Sequence, residues 1–187
     1  MNNVQNLHAT VTETIMVVDD HELVLRGIRQ ILEQSFPDAC IITADTGEKA
    51  VRELAYRKVG LVTVDLELPD MSGFNLIDHI RAEHPDVRIL VNTVHDEIWT
   101  VKRLAERRVE GIVFKSASAM NFVDAVRRIL CGENYYDSGA RFISHHIESL
   151  MVADNRHIAV ARAWPSPPTA CDFAQPSSPS VPLKVMS

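Results

Sequence analysis

The chain has 187 residues, with 19 basic and 25 acidic side chains and a formal net charge of -6. At roughly 100–200 residues per domain this is one domain or two small ones, and 46% hydrophobic with 24% charged residues is an ordinary globular composition. The net acidity gives no general electrostatic reason to bind nucleic acid or an anionic membrane surface, and no run of about 18 apolar residues could cross a bilayer.

Short β-branched runs alternate with helical patterns from residue 14 to residue 131. Residues 1–13 are polar and are expected to be a disordered N-terminus. The first strand is predicted at Ile15–Val18 and ends in Asp19-Asp20. A helix follows, with Leu23, Val24, Gly27, Ile28, Ile31 and Leu32 on one face. Pro37-Asp38 breaks the chain, Ala39–Thr43 is the second strand, and Thr46 is placed to cap a helix carrying Ala50, Val51 and Leu54 inward. Leu61–Val64 is the third strand, ended by Asp65. Pro69 and Gly73 read as loop punctuation before a helix with Phe74, Ile77 and Ile80. Val87–Val91 is the fourth strand, ended by Asn92-Thr93, and Ile98, Val101 and Leu104 mark the next helix. Ile112–Phe114 is the fifth strand, ended by Lys115, and Phe122, Val126, Ile129 and Leu130 mark the last helix.

Apolar strands separated by helices imply a parallel sheet covered on both faces. The expected fold class is therefore α/β, a doubly wound (βα)5 sheet of order 2-1-3-4-5, the flavodoxin-like arrangement. Residues 14–131 make this domain, and 132–150 are expected to be a linker or short helix. Six of the nine prolines fall in residues 165–182, so 151–187 reads as a disordered Pro/Ser-rich tail. Cys40, Cys131 and Cys171 are odd in number and far apart. They suggest neither a disulfide framework nor a CxxC zinc site, which makes a reducing cytoplasm the simplest home.

The chemistry gathers at the strand ends. Asp19, Asp20, Asp65, Thr93 and Lys115 would share one edge of the sheet, in the crevice outside the carboxyl ends of the strands. Three carboxylates there repel one another unless a cation intervenes, and Mg2+ suits oxygen ligands while keeping waters for a phosphate. An aspartate can be a nucleophile toward phosphorus, and phosphoryl transfer needs little beyond alignment and charge neutralisation. Asp65, at the central strand, is the expected acceptor, with Thr93 and Lys115 holding the phosphoryl oxygens. Capping of a helix by Asp19-Asp20 is the bland reading of that pair, and it is compatible with metal binding. The basic cluster Lys102, Arg103, Arg107 and Arg108 reads as a solvated face, and His145-His146, being adjacent, point apart and do not suggest a metal pair.

With the acidic pair after IMVV, the Asp65-x-x-x-Pro69-x-x-x-Gly73 segment, Thr93 and Lys115 in order, residues 14–131 resemble the receiver domain of two-component response regulators. The D-D-H-E start and the G-I-V-F-K-S-A-S segment resemble the LuxR/NarL-type subfamily. The resemblance implies a sensor histidine kinase or histidine phosphotransfer protein as the phosphoryl source. It implies Mg2+ bound by Asp20 and Asp65 side chains, by Asp19 through a water, and by the backbone carbonyl of Glu67. It also implies an output face made of the fourth helix, fifth strand and fifth helix, used for partner binding or a homodimer. No enzymatic turnover is expected beyond phosphorylation and dephosphorylation of Asp65.

Two features depart from the family. Ile112 stands three residues before Lys115, where an aromatic is usual. A LuxR-type helix-turn-helix module needs about 60 residues, more than follow position 150, so direct DNA binding and membrane association are not expected of this chain. Two other readings stay open. One is an aspartyl-phosphate phosphatase of the haloacid-dehalogenase kind, for which Asp65-x-Glu67 stands on the wrong strand. The other is a phosphorylation-independent scaffold or truncated transcriptional regulator. The sequence is silent on the cognate kinase, the phosphoryl lifetime and the regulated process.

Overall fold

A computed structural model of the chain describes residues 13–137. The elements in order are β1 (Thr14–Val18), α1 (Glu22–Ser35), β2 (Cys40–Ala44), α2 (Gly47–Tyr56), β3 (Leu61–Val64), α3 (Gly73–Glu83), β4 (Arg88–Thr93), α4 (Ile98–Glu106), β5 (Gly111–Phe114), α5 (Ala119–Leu130) and β6 (Tyr135–Tyr136). All pairings between them are parallel, in the order β2-β1-β3-β4-β5-β6. This is the flavodoxin-like arrangement expected from the sequence, extended by one strand. Two-residue β6 adds to the edge at β5, where Gly111 pairs with Tyr135 and Ile112 with Tyr136. Two residues are too few to show a periodicity, so this strand had no sequence signal. The sheet thus continues past residue 131. The remainder of the expected linker, the Pro/Ser-rich tail, His145, His146 and residues 1–12 lie outside the described residues.

Alternation along the strands builds two cores. Met16, Val18, Val62, Val64, Ile89 and Val91 face α2, α3 and α4 through Ala50, Leu54, Ile77, Ile80, Val101 and Leu104. Ile15, Val17, Leu61, Leu90 and Val113 face α1 and α5 through Leu25, Leu32, Phe122, Val126 and Ile129. A strand buried on both faces has no polar side to spare, which is why its functional residues stand just past its carboxyl end. Caps fix where the helices begin. Thr46 Oγ1 accepts from Lys49 N at 3.2 Å, as its position suggested, and Ser118 Oγ accepts from Asn121 N at 3.2 Å.

The basic cluster at α4 is only partly a solvated face. Arg103 and Arg107 lie over the Phe74 ring at 3.9 and 5.1 Å, and Arg107 forms an ion pair with Asp78 at 2.8 Å. These contacts fasten α4 to α3. Cys40 is an exposed free thiol. Among the described residues, no helix is long and apolar enough to cross a membrane.

Candidate functional site

Register brings the strand-end residues to one edge. β1 and β3 are neighbours, with Val18 opposite Val64, so the residues that follow them, Asp19 and Asp65, emerge side by side. Backbone bonds continue the ladder for one step, from Asp65 N to Val18 O at 3.0 Å and from Asp19 N to Ala44 O at 3.2 Å. On the other side, Lys115 N donates to Thr93 O at 2.8 Å.

The side chains then converge. Asp19 and Asp65 are almost fully buried, at 1% and 3% exposure. The Lys115 ammonium reaches both, 2.6 Å from Asp65 Oδ2 and 2.7 Å from Asp19 Oδ2. Its contact with Asp65 is a hydrogen bond. Asp19 Oδ2 is held by the Lys115 ammonium as well. Asp65 Oδ1 accepts from Leu66 N at 2.7 Å. Asp20 is more open and lies beside His21, whose Nδ1 is 2.6 Å from Asp20 Oδ1.

Burial dominates the acidity of Asp65 and pushes its pKa above the usual carboxylate range, against the opposing pull of Lys115. Burial works to lower the Lys115 pKa, but the hydrogen bonds and charges of Asp19 and Asp65 outweigh it and raise the value. One ammonium thus faces two buried carboxylates, with the Asp20 carboxylate beside them. A buried, acceptor-rich site with a surplus of negative charge fits a hard divalent cation, and the oxygen donors of Asp19, Asp20 and Asp65 are of the kind Mg2+ takes. These residues would hold the ion. The Glu67 side chain is turned elsewhere: its Oε1 lies 3.2 Å from His95 Nε2, while its backbone bridges to Ser72.

Thr93 is fully buried, and its Oγ1 accepts from His95 N at 3.1 Å. The His95 ring spans from the loop after β4 to the loop after β3, between Glu97 and Glu67. Burial acts to lower its pKa, but the hydrogen bonds and charges of Glu67 and Glu97 raise it above the ordinary value.

Three supporting residues had no site reading in the sequence. His95 ties the two loops together across 28 positions. Asp70 accepts from Gly47 N at 2.9 Å and Glu48 N at 2.7 Å, which fixes the loop carrying Asp65 to the start of α2. Gly73 is more than punctuation: a Cβ there would stand 2.2 Å from Asp65 O and 2.6 Å from Leu66 Cα. Only glycine lets α3 begin so close to the end of β3. Sequence spacing carried a signal for Gly73 alone, as the glycine closing the segment that begins at Asp65.

This geometry agrees with the comparison to known families, in which residues 15–127 match the response regulator receiver domain. The chain belongs to that family. Among similar proteins, response regulator UvrY of Escherichia coli (strain K12) is 32% identical over 124 residues, covering 66% of this chain and 57% of that one. Transcriptional activator protein ExaE of Pseudomonas putida is 29% identical over 123 residues, covering 66% of this chain and 58% of that one. The match therefore spans less than two thirds of these relatives' length. A solved two-component response regulator of the LuxR family from Aurantimonas sp. SI85-9A1 is 28% identical, with a TM-score of 0.67, over 74% of this receiver chain and 99% of that one. The isolated REC domain of RcsB from Salmonella enterica, at 22% identity and a TM-score of 0.65 over 71% of this chain and 98% of that one, shares the fold.

Proposed function

We propose that this receiver accepts a phosphoryl group on Asp65 from a sensor histidine kinase or a histidine phosphotransfer protein in the cytoplasm. The Lys115 bridge between Asp65 and Asp19 carries the reading, because it holds a cation against the acceptor where phosphoryl charge would arrive. In the transfer, an Asp65 carboxylate oxygen forms a bond to phosphorus and the bond from phosphorus to the donor histidine nitrogen breaks. The electron pair of that bond stays on the nitrogen. A bound Mg2+ would neutralise phosphoryl oxygen charge.

The chain's own residues do the rest. Leu66 N–H holds Asp65 Oδ1 and fixes the plane of the carboxylate. Lys115 exchanges its bond to Asp65 for one to a phosphoryl oxygen. Thr93 Oγ1 keeps accepting from His95 N and turns its own hydrogen toward a second phosphoryl oxygen, drawing the loop after β4 inward. Charge-assisted bonds of this kind contribute about 1.5–3 kcal/mol each. That is enough to shift a two-state surface by roughly 5–150-fold.

The surface that responds is α4, β5 and α5. Val94, Ile98 and Trp99 are exposed at the start of α4, next to the loop that Thr93 and His95 anchor. Such apolar exposure supports partner binding or a homodimer on this face. Ile112 is fully buried in β5, so the switch runs through the Thr93 loop and needs no aromatic swing at that position. Asp65 gains and loses its own phosphoryl group, and no further turnover is proposed.

The test is intact mass after incubation with a small phosphodonor and Mg2+. One phosphoryl adduct on wild type and none on Asp65→Asn is expected. No adduct on wild type, or an undiminished one on the variant, refutes the proposal.

A further inference from the structure

Val24, Ile28 and Ile31 belong to the apolar face of α1, yet they are only half-buried. They line one side of a cavity of about 240 Å3, and Val113 and Phe122 line the other. Asn92 lines it from the sheet, paired with Val113 across β4 and β5. Two residues earlier, Leu90 packs into the core beneath α1 and α5, and alternation along the strand turns Asn92 to the same side. An apolar side chain would continue that core. Asn92 is instead 7% exposed, and its amide has no hydrogen-bond partner among the described residues. Burying a carboxamide without a partner is costly, and folded proteins satisfy nearly all such groups. Its polar atoms are not sealed in the packed interior, so the group opens on the cavity. Ser118, at the N-cap of α5, lines the cavity too; its Oγ accepts from Asn121 N at 3.2 Å, and its own hydrogen remains available to donate.

We propose that this cavity binds a small uncharged molecule with an apolar body and a carboxamide head, and that its occupancy restrains phosphoryl acceptance. The restraint rests on the reading of Asp65 as the acceptor; the binding site does not. An apolar cavity of about 150 Å3 takes benzene, so 240 Å3 leaves room for a ring and a short polar group. Lys115 is the only charged residue among the described residues lining the cavity, and two carboxylates already hold its ammonium at 2.6 and 2.7 Å. An ionised head group would lose hydration there and find no free counter-charge. The Asn92 amide offers N–H donors and a carbonyl acceptor, which match the carbonyl and N–H of a second carboxamide in a two-bond pair. The site also touches the switch. Lys115 lines the cavity while bridging Asp19 and Asp65, and Asn92 directly precedes Thr93. Phosphoryl arrival requires Lys115 to release Asp65 and the Thr93 loop to move inward. A molecule packed against Lys115 and bonded to Asn92 opposes both movements.

The test is an NMR titration of the isotope-labelled full chain with benzamide, and with toluene and benzoate for comparison, on wild type, Asn92→Leu and Val24→Trp. Benzamide is expected to saturate in the millimolar range, as suits a ligand of its size, and to shift amide signals in α1, at the end of β4 and at the start of α5. Asn92→Leu should weaken benzamide about tenfold and leave toluene within about twofold, because it removes the polar match and keeps the walls. Benzoate should bind at least about tenfold more weakly than benzamide. Val24→Trp fills the cavity from a half-buried position and should abolish binding of benzamide and toluene alike. With a small phosphodonor and Mg2+, saturating benzamide should slow adduct formation about fivefold on wild type and not on Val24→Trp. No saturable shift with benzamide, or undiminished binding by Asn92→Leu, overturns the site. Shifts around the cavity that follow protein concentration instead of benzamide mark a face between two copies and overturn it as well. Binding that leaves adduct formation unchanged refutes the restraint alone. A wild type that takes no adduct even without benzamide refutes the Asp65 reading, while the binding arms still decide the site.

Discussion

Replacing Lys115 with methionine tests the electrostatics of the site most severely. The ammonium stands 2.6 and 2.7 Å from oxygens of two carboxylates that are almost fully buried. At an effective dielectric constant of about 20, each contact is worth roughly 6 kcal/mol of Coulomb attraction before desolvation is counted. Oxygens of Asp19 and Asp65 lie within 4.8 Å of one another, and their repulsion, left behind without the ammonium, is at least about 3 kcal/mol on the same scale. Breaking a buried pair by removing one partner typically costs about 3–5 kcal/mol. The Lys115 side chain keeps 17% exposure, and water and local relaxation screen part of the effect. The expected loss is therefore about 2–4 kcal/mol in urea unfolding at neutral pH without divalent ions. Two conditions should restore it. A divalent ion at 100 times its dissociation constant returns about 2.7 kcal/mol. Acid does so as well, because a protonated Asp65 no longer repels Asp19. A loss below about 0.5 kcal/mol, insensitive to both Mg2+ and pH, would refute the claim that Lys115 holds the buried carboxylates together.

Asp65→Asn should raise stability at neutral pH in the absence of divalent ions, measured by thermal unfolding. Burial raises the folded-state pKa of Asp65 above its unfolded value, so the wild type loses stability as pH rises from the unfolded pKa through the folded one, and the variant should not. Gly73→Ala should cost about 1–3 kcal/mol in urea unfolding and slow phosphoryl acceptance, since its Cβ would collide with Asp65 O. Asp70→Ala removes two bonds to the start of α2 and should cost about 1 kcal/mol. Burial acts to raise the Asp70 pKa, but the backbone bonds from Glu48 and Gly47 prevail and lower it, so this contribution is present above the unfolded pKa and lost as pH falls through the folded one. A difference between wild type and Asp70→Ala that persists in strong acid would contradict that assignment.

The parts of the site that follow a strand were legible because strand ends share an edge in a parallel sheet. Asp19, Asp65, Thr93 and Lys115 needed only the position of each apolar run, and β3 spans the predicted Leu61–Val64. Boundaries slipped where polar residues continue a ladder: β4 runs through Asn92 to Thr93 because both are buried beside β5. The supporting contacts were not legible. His95 meets Glu67 across 28 positions and Asp70 meets Gly47 across 23, and neither distance leaves a local pattern. His21 stands at the backbone N-cap of α1, while its ring turns toward the acidic pair, a direction no sequence period reveals. Arg103 and Arg107 read as solvated charge because no sequence period reveals that Phe74, on another helix, lies beneath them.

The central claim is that a single aspartate takes the phosphoryl group, and its position can be located chemically. After phosphorylation in Mg2+, reduction with borohydride converts an acyl phosphate to homoserine at the residue that carried it, and fragment-ion sequencing locates that residue. The account predicts homoserine at position 65 and nowhere else. Homoserine at position 19 or 20 instead, or none anywhere in a chain that carries a phosphoryl adduct, would contradict it.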